Sequence, residues 1–180
     1  MVLMQLEMPL ETVFKTYEMA SDRNIPVFLD AGPAMSIPLD RLKGIFIISP
    51  NEAETKALTG IDVCDEKSAL EAAKYLYDQV NPQYVLLKLG ARGALVYDGN
   101  TCEMMPTFDV EVVDSTAAGD TFGAALAVRL CRGDSMRQAA MFANAAASIC
   151  VSRRGAQPSI PRADEVEAFL KKRKAVEREL

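Results

Sequence analysis

Apolar, β-prone runs recur along the first half of this chain, and each closes on or beside a polar residue. They are "VLMQLE" (2–7), "IPVFLD" (25–30), "GIFIISP" (44–50) just before Asn51, and "YVLLKLG" (84–90). Between them the spacing turns helical, over 10–23, over the short "NEAETKALTG" stopped by Gly60, and over 66–80. Such alternation predicts an α/β layered fold with a mostly parallel sheet, helices on both faces, and one domain over 1–180. Ligands of these sheets bind outside the carboxyl ends of the strands. The polar residues that close these runs, Glu7, Asp30, Asn51 and Lys88, and Asp114 after the later Val112-Val113, are therefore the first functional candidates.

The second half reads differently. Asp98-Gly99 within "ALVYDGN" signals a hairpin leading into "TCEMMP". Helices are then expected at about 119–132, 135–151 and 162–176, with Asp134-Ser135 as a cap and Pro161 ahead of the third. The basic "KKRK" at 171–174 lies beside Glu165, Glu167, Glu177 and Glu179, which reads as a solvated helix face.

Composition narrows the chemistry. There is no histidine, which removes Ser-His-Asp and Cys-His catalysis and every His-ligated metal site. A general base is then expected to be a carboxylate or a lysine. The net charge of −5 argues against a nucleic-acid partner. No apolar run is long enough to span a membrane and the opening "MVLMQLEMPL" is unlike a signal peptide, so the expected location is cytoplasmic. Cys64, Cys102, Cys131 and Cys150 are scattered, as reduced thiols would be.

The stretch "VVDSTAAGDTFGAALAVRL" (112–130) changes character halfway, placing Asp120 among the smallest side chains where a buried helix begins. Backbone N–H groups in the first turn of a helix lack intrahelical partners and favour anions. Ala117, Ala118 and Gly119 would let a phosphate approach them, with Asp120 placed to take a proton from an attacking hydroxyl. The residues alone equally allow Asp120 or Thr121 to be a plain cap.

"DSTAAGDTFGAAL" resembles the C-terminal signature of the ribokinase family, the pfkB-type carbohydrate kinases, which move the γ-phosphoryl of ATP to a sugar. The resemblance implies that Asp120 is the catalytic base, also touching the sugar, and that the backbone of Ala117, Ala118 and Gly119 is the anion hole. Many family members carry glycine at the position of Ala117. "PNEAE" resembles the Asn-x-x-Glu motif, which places Asn51 near the triphosphate and Glu54 on Mg²⁺ through water; alone, both are ordinary helix caps. "KLGARG" resembles the ATP-binding strand and turn, implicating Lys88, Leu89, Gly90, Ala91, Arg92 and Gly93, although any strand can end in such a turn.

"FANAAASICVSRRGAQPSIP" (142–161) adds Asn144 at the adenine end and a loop similar to the family's monovalent-cation loop. The implied K⁺ ligands are Asp114, Thr116, Cys150, Arg153, Gly155 and Ser159, mostly through backbone oxygens; hard oxygen donors suit K⁺, and a cation there would steady the phosphate charge. The alternative is a Gly-Pro connection between helices. Glu7 matches a sugar-contacting glutamate, or is simply solvated. No P-loop is present.

The resemblance runs the length of the chain but covers only the C-terminal portion of the family. The fold is expected to lack the N-terminal strands and the β lid, with most of the sugar pocket. The implied activity is ATP-dependent phosphorylation of a sugar hydroxyl, D-ribose to ribose 5-phosphate, with this chain alone inactive. Another sugar or nucleoside kinase, or a non-catalytic nucleotide-binding module, are the alternatives. Expected partners are ATP and a small sugar, with no nucleic acid or membrane, and self-association through an exposed sheet edge.

Overall fold

The computed structural model describes residues 1–179, with side chains as far as Arg173. The chain divides into two compact units, one of Met1–Met104 and one from Met105 onward.

The first unit carries a mixed sheet of six strands in chain order, β1 (Val2–Gln5), β2 (Val27–Asp30), β3 (Ile47–Ser49), β4 (Tyr84–Lys88), β5 (Ala94–Tyr97) and β6 (Cys102–Met105). β1 to β4 run parallel, and β5 folds back antiparallel on β4. β2, β3 and β5 are buried at every position, as strands covered on both faces require, whether parallel (β2, β3) or antiparallel (β5). Val27, Leu29, Ile48, Val85, Leu87 and Leu95 join one core with Val13 and Phe14 of α1 (Leu10–Ser21) and Leu76 of α3 (Glu66–Val80). Phe28, Ile47, Leu86 and Val96 alternate to the opposite face and are buried too.

Local chemistry sets the helix ends. α2 (Glu52–Thr59) starts at Asn51 with a capping box closed by Glu54 and stops at Gly60, whose φ of 77° only glycine adopts without strain. α3 begins at Asp65 with a second box through Ser68 and ends on left-handed Asn81. The sheet is mixed and mostly parallel, as the alternation predicts, and the hairpin turns at Asp98-Gly99. The short 3-10 turn at Leu39–Leu42 has no periodic signal in the sequence.

The second unit is helical: α4 (Ala118–Cys131), α5 (Met136–Val151) and α6 (Ala163–Glu179). Ser135, not Asp134, caps α5, boxed with Gln138; Asp134 instead pairs with Arg129 at 2.5 Å. Phe142, Ala145, Ala146, Ile149 and Val166 form its core, with Phe108 edge-on to Phe169. Lys171 and Lys172 are exposed on α6, while the side chains of Lys174, Glu177 and Glu179 lie outside the described residues. Among the described residues, all four cysteines are free thiols and no helix is long and apolar enough to cross a membrane.

Candidate active-site residues

In the first unit the proposed triphosphate side begins where β3 gives way to α2. Asn51 leaves the strand with extended backbone, bridges to Lys88 of β4, and caps α2 with its side-chain oxygen, which accepts from Glu54 N at 2.9 Å. Glu54 answers twice: Oε2 accepts from Asn51 N at 2.6 Å and Oε1 from Asn51 Nδ2 at 2.7 Å. Glu54 is nevertheless buried, and the Lys88 ammonium makes that tolerable. The Lys88 ammonium stands 3.6 Å from Oε2, and Gly32 passes so close to Oε1 that an added Cβ would lie 3.0 Å away.

Lys88 also pairs directly with Asp30 at the end of β2, whose second oxygen accepts from Gln5 Nε2 at 3.3 Å. Sequence reading selected Asp30 as a strand-closing acid but gave it no role. Its burial and its partner 58 residues away become visible only once β2 and β4 lie in one sheet.

Leu89 to Gly93 form a tight turn after β4, in which Leu89 N donates to Gly93 O at 2.8 Å and Gly90 and Gly93 take φ of 55° and 88°. Leu89 is buried and Ala91 exposed. Arg92 turns back to the start of α2, meeting Glu52 at 2.6 Å and Val63 O at 3.1 Å. Glu7 lies in an exposed turn just past β1.

In the second unit, α4 starts at Ala117, which takes a left-handed conformation (φ 62°, ψ 11°) and has no side chain with which to cap. Ala118 N donates to Ser115 O at 3.2 Å, and Thr121 N makes the first intrahelical bond to Ala117 O at 2.9 Å. Asp120 is exposed on the first turn, so neither it nor Thr121 is the cap; Thr121 is buried, its hydroxyl 3.4 Å from Cys150 Sγ. A left-handed alanine carries a strain of about 1–2 kcal/mol. Glycine removes it but costs about 0.4–1 kcal/mol through the unfolded chain. Ala117→Gly is therefore expected to stabilise the protein by about 0.5–1 kcal/mol, measured by urea unfolding.

Asn144, on α5, is buried, and its Nδ2 donates to Met105 O at 3.0 Å and Pro106 O at 3.1 Å. Its amide nitrogen thus ties α5 to Met105 and Pro106 at the start of the same unit.

The cation-loop residues come together within this unit. Asp114 takes its two oxygens to different places: Oδ1 accepts from Thr116 N at 3.0 Å and Oδ2 from Gly155 N at 2.9 Å. Cys150 O accepts from Arg153 N at 3.1 Å, while the Arg153 guanidinium meets Glu165 on α6 at 2.6 Å. Ser159 is fully buried, with Oγ donating to Ala156 O at 2.6 Å and standing 3.1 Å from Cys150 Sγ. Carbonyls and one buried hydroxyl are the donor chemistry K⁺ accepts. With both Asp114 carboxylate oxygens already engaged, backbone oxygens are the groups that would hold a cation here.

Mg²⁺ fits Glu54 only through water. No group of three or more Asp, Glu, Cys or His able to hold a metal occurs among the described residues, and Asn51 and Lys88 occupy most of the acceptor directions of Glu54.

The Thr116 hydroxyl and amide, then the Gly155 amide, hold the Asp114 carboxyl down to about 2. A depressed folded value means that its contribution to the loops is fully present above the unfolded value of about 3.9 and is lost as pH falls toward about 2. An NMR acid titration should therefore show the Gly155 amide moving with the Asp114 carboxyl well below the ordinary aspartate range.

The model of the pfkB family of carbohydrate kinases matches residues 2–163, and the chain belongs to that family. Among its relatives, the ribokinase of Haemophilus influenzae is 39% identical over 94% of this chain and 55% of its own length. The ribokinase of Staphylococcus aureus is 36% identical over 92% and 54%. The structure resembles that of Arabidopsis thaliana ribokinase complexed with ribose and ATP, with a TM-score of 0.89 at 36% identity, covering 94% of this chain and 55% of that one. The chain thus spans about half the length of these relatives.

Proposed function

We propose that this chain supplies the nucleotide-handling and base-bearing part of an ATP-dependent sugar kinase whose substrate is D-ribose. The observation that carries the reading is Asp120 on the exposed first turn of α4, behind an N-terminus that Ala117 cannot cap. Similarity to ribokinases at 36–39% identity supports ribose over other sugars.

In the proposed reaction Asp120 takes the proton of the ribose 5-hydroxyl as that oxygen attacks the γ-phosphorus. The bond from the γ-phosphorus to the bridging oxygen breaks, and ADP leaves. The first turn of α4, with Ala117, Ala118 and Gly119, receives the developing charge on the transferred phosphoryl group. Asn51 orients the triphosphate, Glu54 orders water toward Mg²⁺, and the turn from Leu89 to Gly93 contacts the nucleotide; in the second unit, Asn144 is assigned to its adenine end. Glu7 contacts the sugar. Mg²⁺, when bound, supplies charge neutralisation on the phosphates, and K⁺ in the loop of Asp114 and Ser159 stiffens the backbone next to α4. The reaction draws on cytoplasmic ATP.

The test joins this chain behind the N-terminal portion of a ribokinase relative and assays ribose, fructose, a keto-sugar acid and a nucleoside. Ribose should give the highest kcat/KM, with the isolated chain inactive on all four. Preference for another acceptor would reassign the substrate, and no turnover by a folded fusion would favour a non-catalytic nucleotide-binding module.

Among the described residues β1 is an end strand that pairs only with β2, and its Leu3 is exposed. An unpaired edge of this kind recruits other chains, so the isolated protein should self-associate. Light scattering across a dilution series would overturn this by showing a monomer throughout.

A further inference from the structure

The ATP-binding strand of the resemblance includes Lys88, yet the geometry around its ammonium points elsewhere. Lys88, Asp30 and Glu54 have side chains only 14%, 7% and 8% exposed. They bring two acids and one base together in a poorly solvated place. A buried carboxylate stripped of its counter-ion is strongly destabilising. If the ammonium left for a phosphate, both acids would be stranded. Asp30 would keep one hydrogen bond, from Gln5, and Glu54 only those from Asn51.

We propose that Lys88 is a positioning residue and not a phosphate ligand: anchored by Asp30, it holds the Glu54 carboxylate where it closes the Asn51 capping box. The ends of β2 and β4 thereby set the geometry of the first turn of α2. Glu54 is held from two sides, by the ammonium at 3.6 Å from Oε2 and by the Asn51 amides, and Gly32 leaves room for Oε1 that a Cβ would take, at 3.0 Å. Gly32 is itself pinned, its carbonyl accepting from Leu6 N at 2.7 Å beyond the end of β1. The consequence for nucleotide binding rests on the reading of Asn51 and Glu54 given above; the positioning itself does not.

The experiment compares amide hydrogen exchange and ATP titration in wild type, Lys88→Met, Lys88→Arg and the double variant Asp30→Asn/Lys88→Met. The double variant keeps the cluster at its original net charge and so guards against failure of the single variant to fold. The Asn51 amide, bonded to Glu54 Oε2, is expected to exchange about tenfold faster in Lys88→Met and in the double variant. The Ser68 amide, in the separate capping box of α3, is the internal control and should not change. Lys88→Arg should restore slow exchange at Asn51.

ATP affinity should fall about tenfold with Mg²⁺ present and hardly at all without it. Unchanged Asn51 exchange in a folded Lys88→Met or double variant overturns the proposal. So does an equal loss of ATP affinity with and without Mg²⁺, which would make Lys88 a phosphate ligand. If wild type binds no ATP, the functional reading fails while the exchange comparison still decides the role of Lys88.

Discussion

With this chain fused behind the N-terminal portion of the Haemophilus influenzae ribokinase, Asp120→Asn is expected to lower ribose phosphorylation by about 10²- to 10⁴-fold. Asparagine keeps the size and hydrogen-bonding reach of aspartate but cannot accept the hydroxyl proton, so chemistry suffers while binding survives. The loss should therefore fall on kcat, with KM for ATP little changed or lowered, because a negative charge facing the γ-phosphate is removed. Stopped assays of ribose 5-phosphate formation, paired with ATP titrations, separate the two. Equal turnover in variant and parent would remove Asp120 from the chemistry and favour a module that only binds nucleotide.

The second large effect is structural. Gly99 takes a φ of 93° in the turn between β5 and β6, and an added Cβ would stand 2.3 Å from Tyr77 Cζ. The Tyr77 ring is not free to yield, because it packs edge-on against Tyr97 at 5.5 Å, and the Tyr97 hydroxyl donates to Gly99 O at 3.0 Å. Gly99→Ala combines overpacking with a disfavoured backbone, offset slightly by a stiffer unfolded chain. The net destabilisation should be about 2–4 kcal/mol, or a fall in Tm of about 5–15 °C. Thermal unfolding checks it, and a change of less than about 0.5 kcal/mol, the size of an ordinary surface substitution, would mean that the tyrosine pair relaxes without strain.

These two residues mark how far the sequence could be read. Gly99 was legible as a turn because Asp-Gly between apolar runs has a local cause, and the helix over 66–80 was legible because its apolar residues recur at helical spacing. Asp120 stood out as a candidate acid because its neighbours are the smallest side chains where a buried helix begins, although the residues alone equally allowed a plain cap, a position that Ala117 takes instead. What stayed hidden was non-local. The side chain of Lys88 meets one acid 58 residues earlier, and nothing in "KLGARG" says whether a strand-ending lysine faces a ligand or a buried carboxylate. Asn144 lies in an alanine-rich helix with no local cue that its amide reaches Met105 and Pro106. The left-handed turn at Ala117 was invisible for the opposite reason, since alanine locally favours the helix that it here only precedes.

Calorimetric titration of ATP with Mg²⁺ and K⁺ into wild type and Asn51→Ala decides whether this chain carries a working nucleotide site. Saturable binding to wild type is expected, weakened about tenfold or more in a variant still folded by its Ser68 amide, and weakened for wild type when Na⁺ replaces K⁺. A folded, soluble wild-type chain that takes up no ATP under those conditions would contradict such a site.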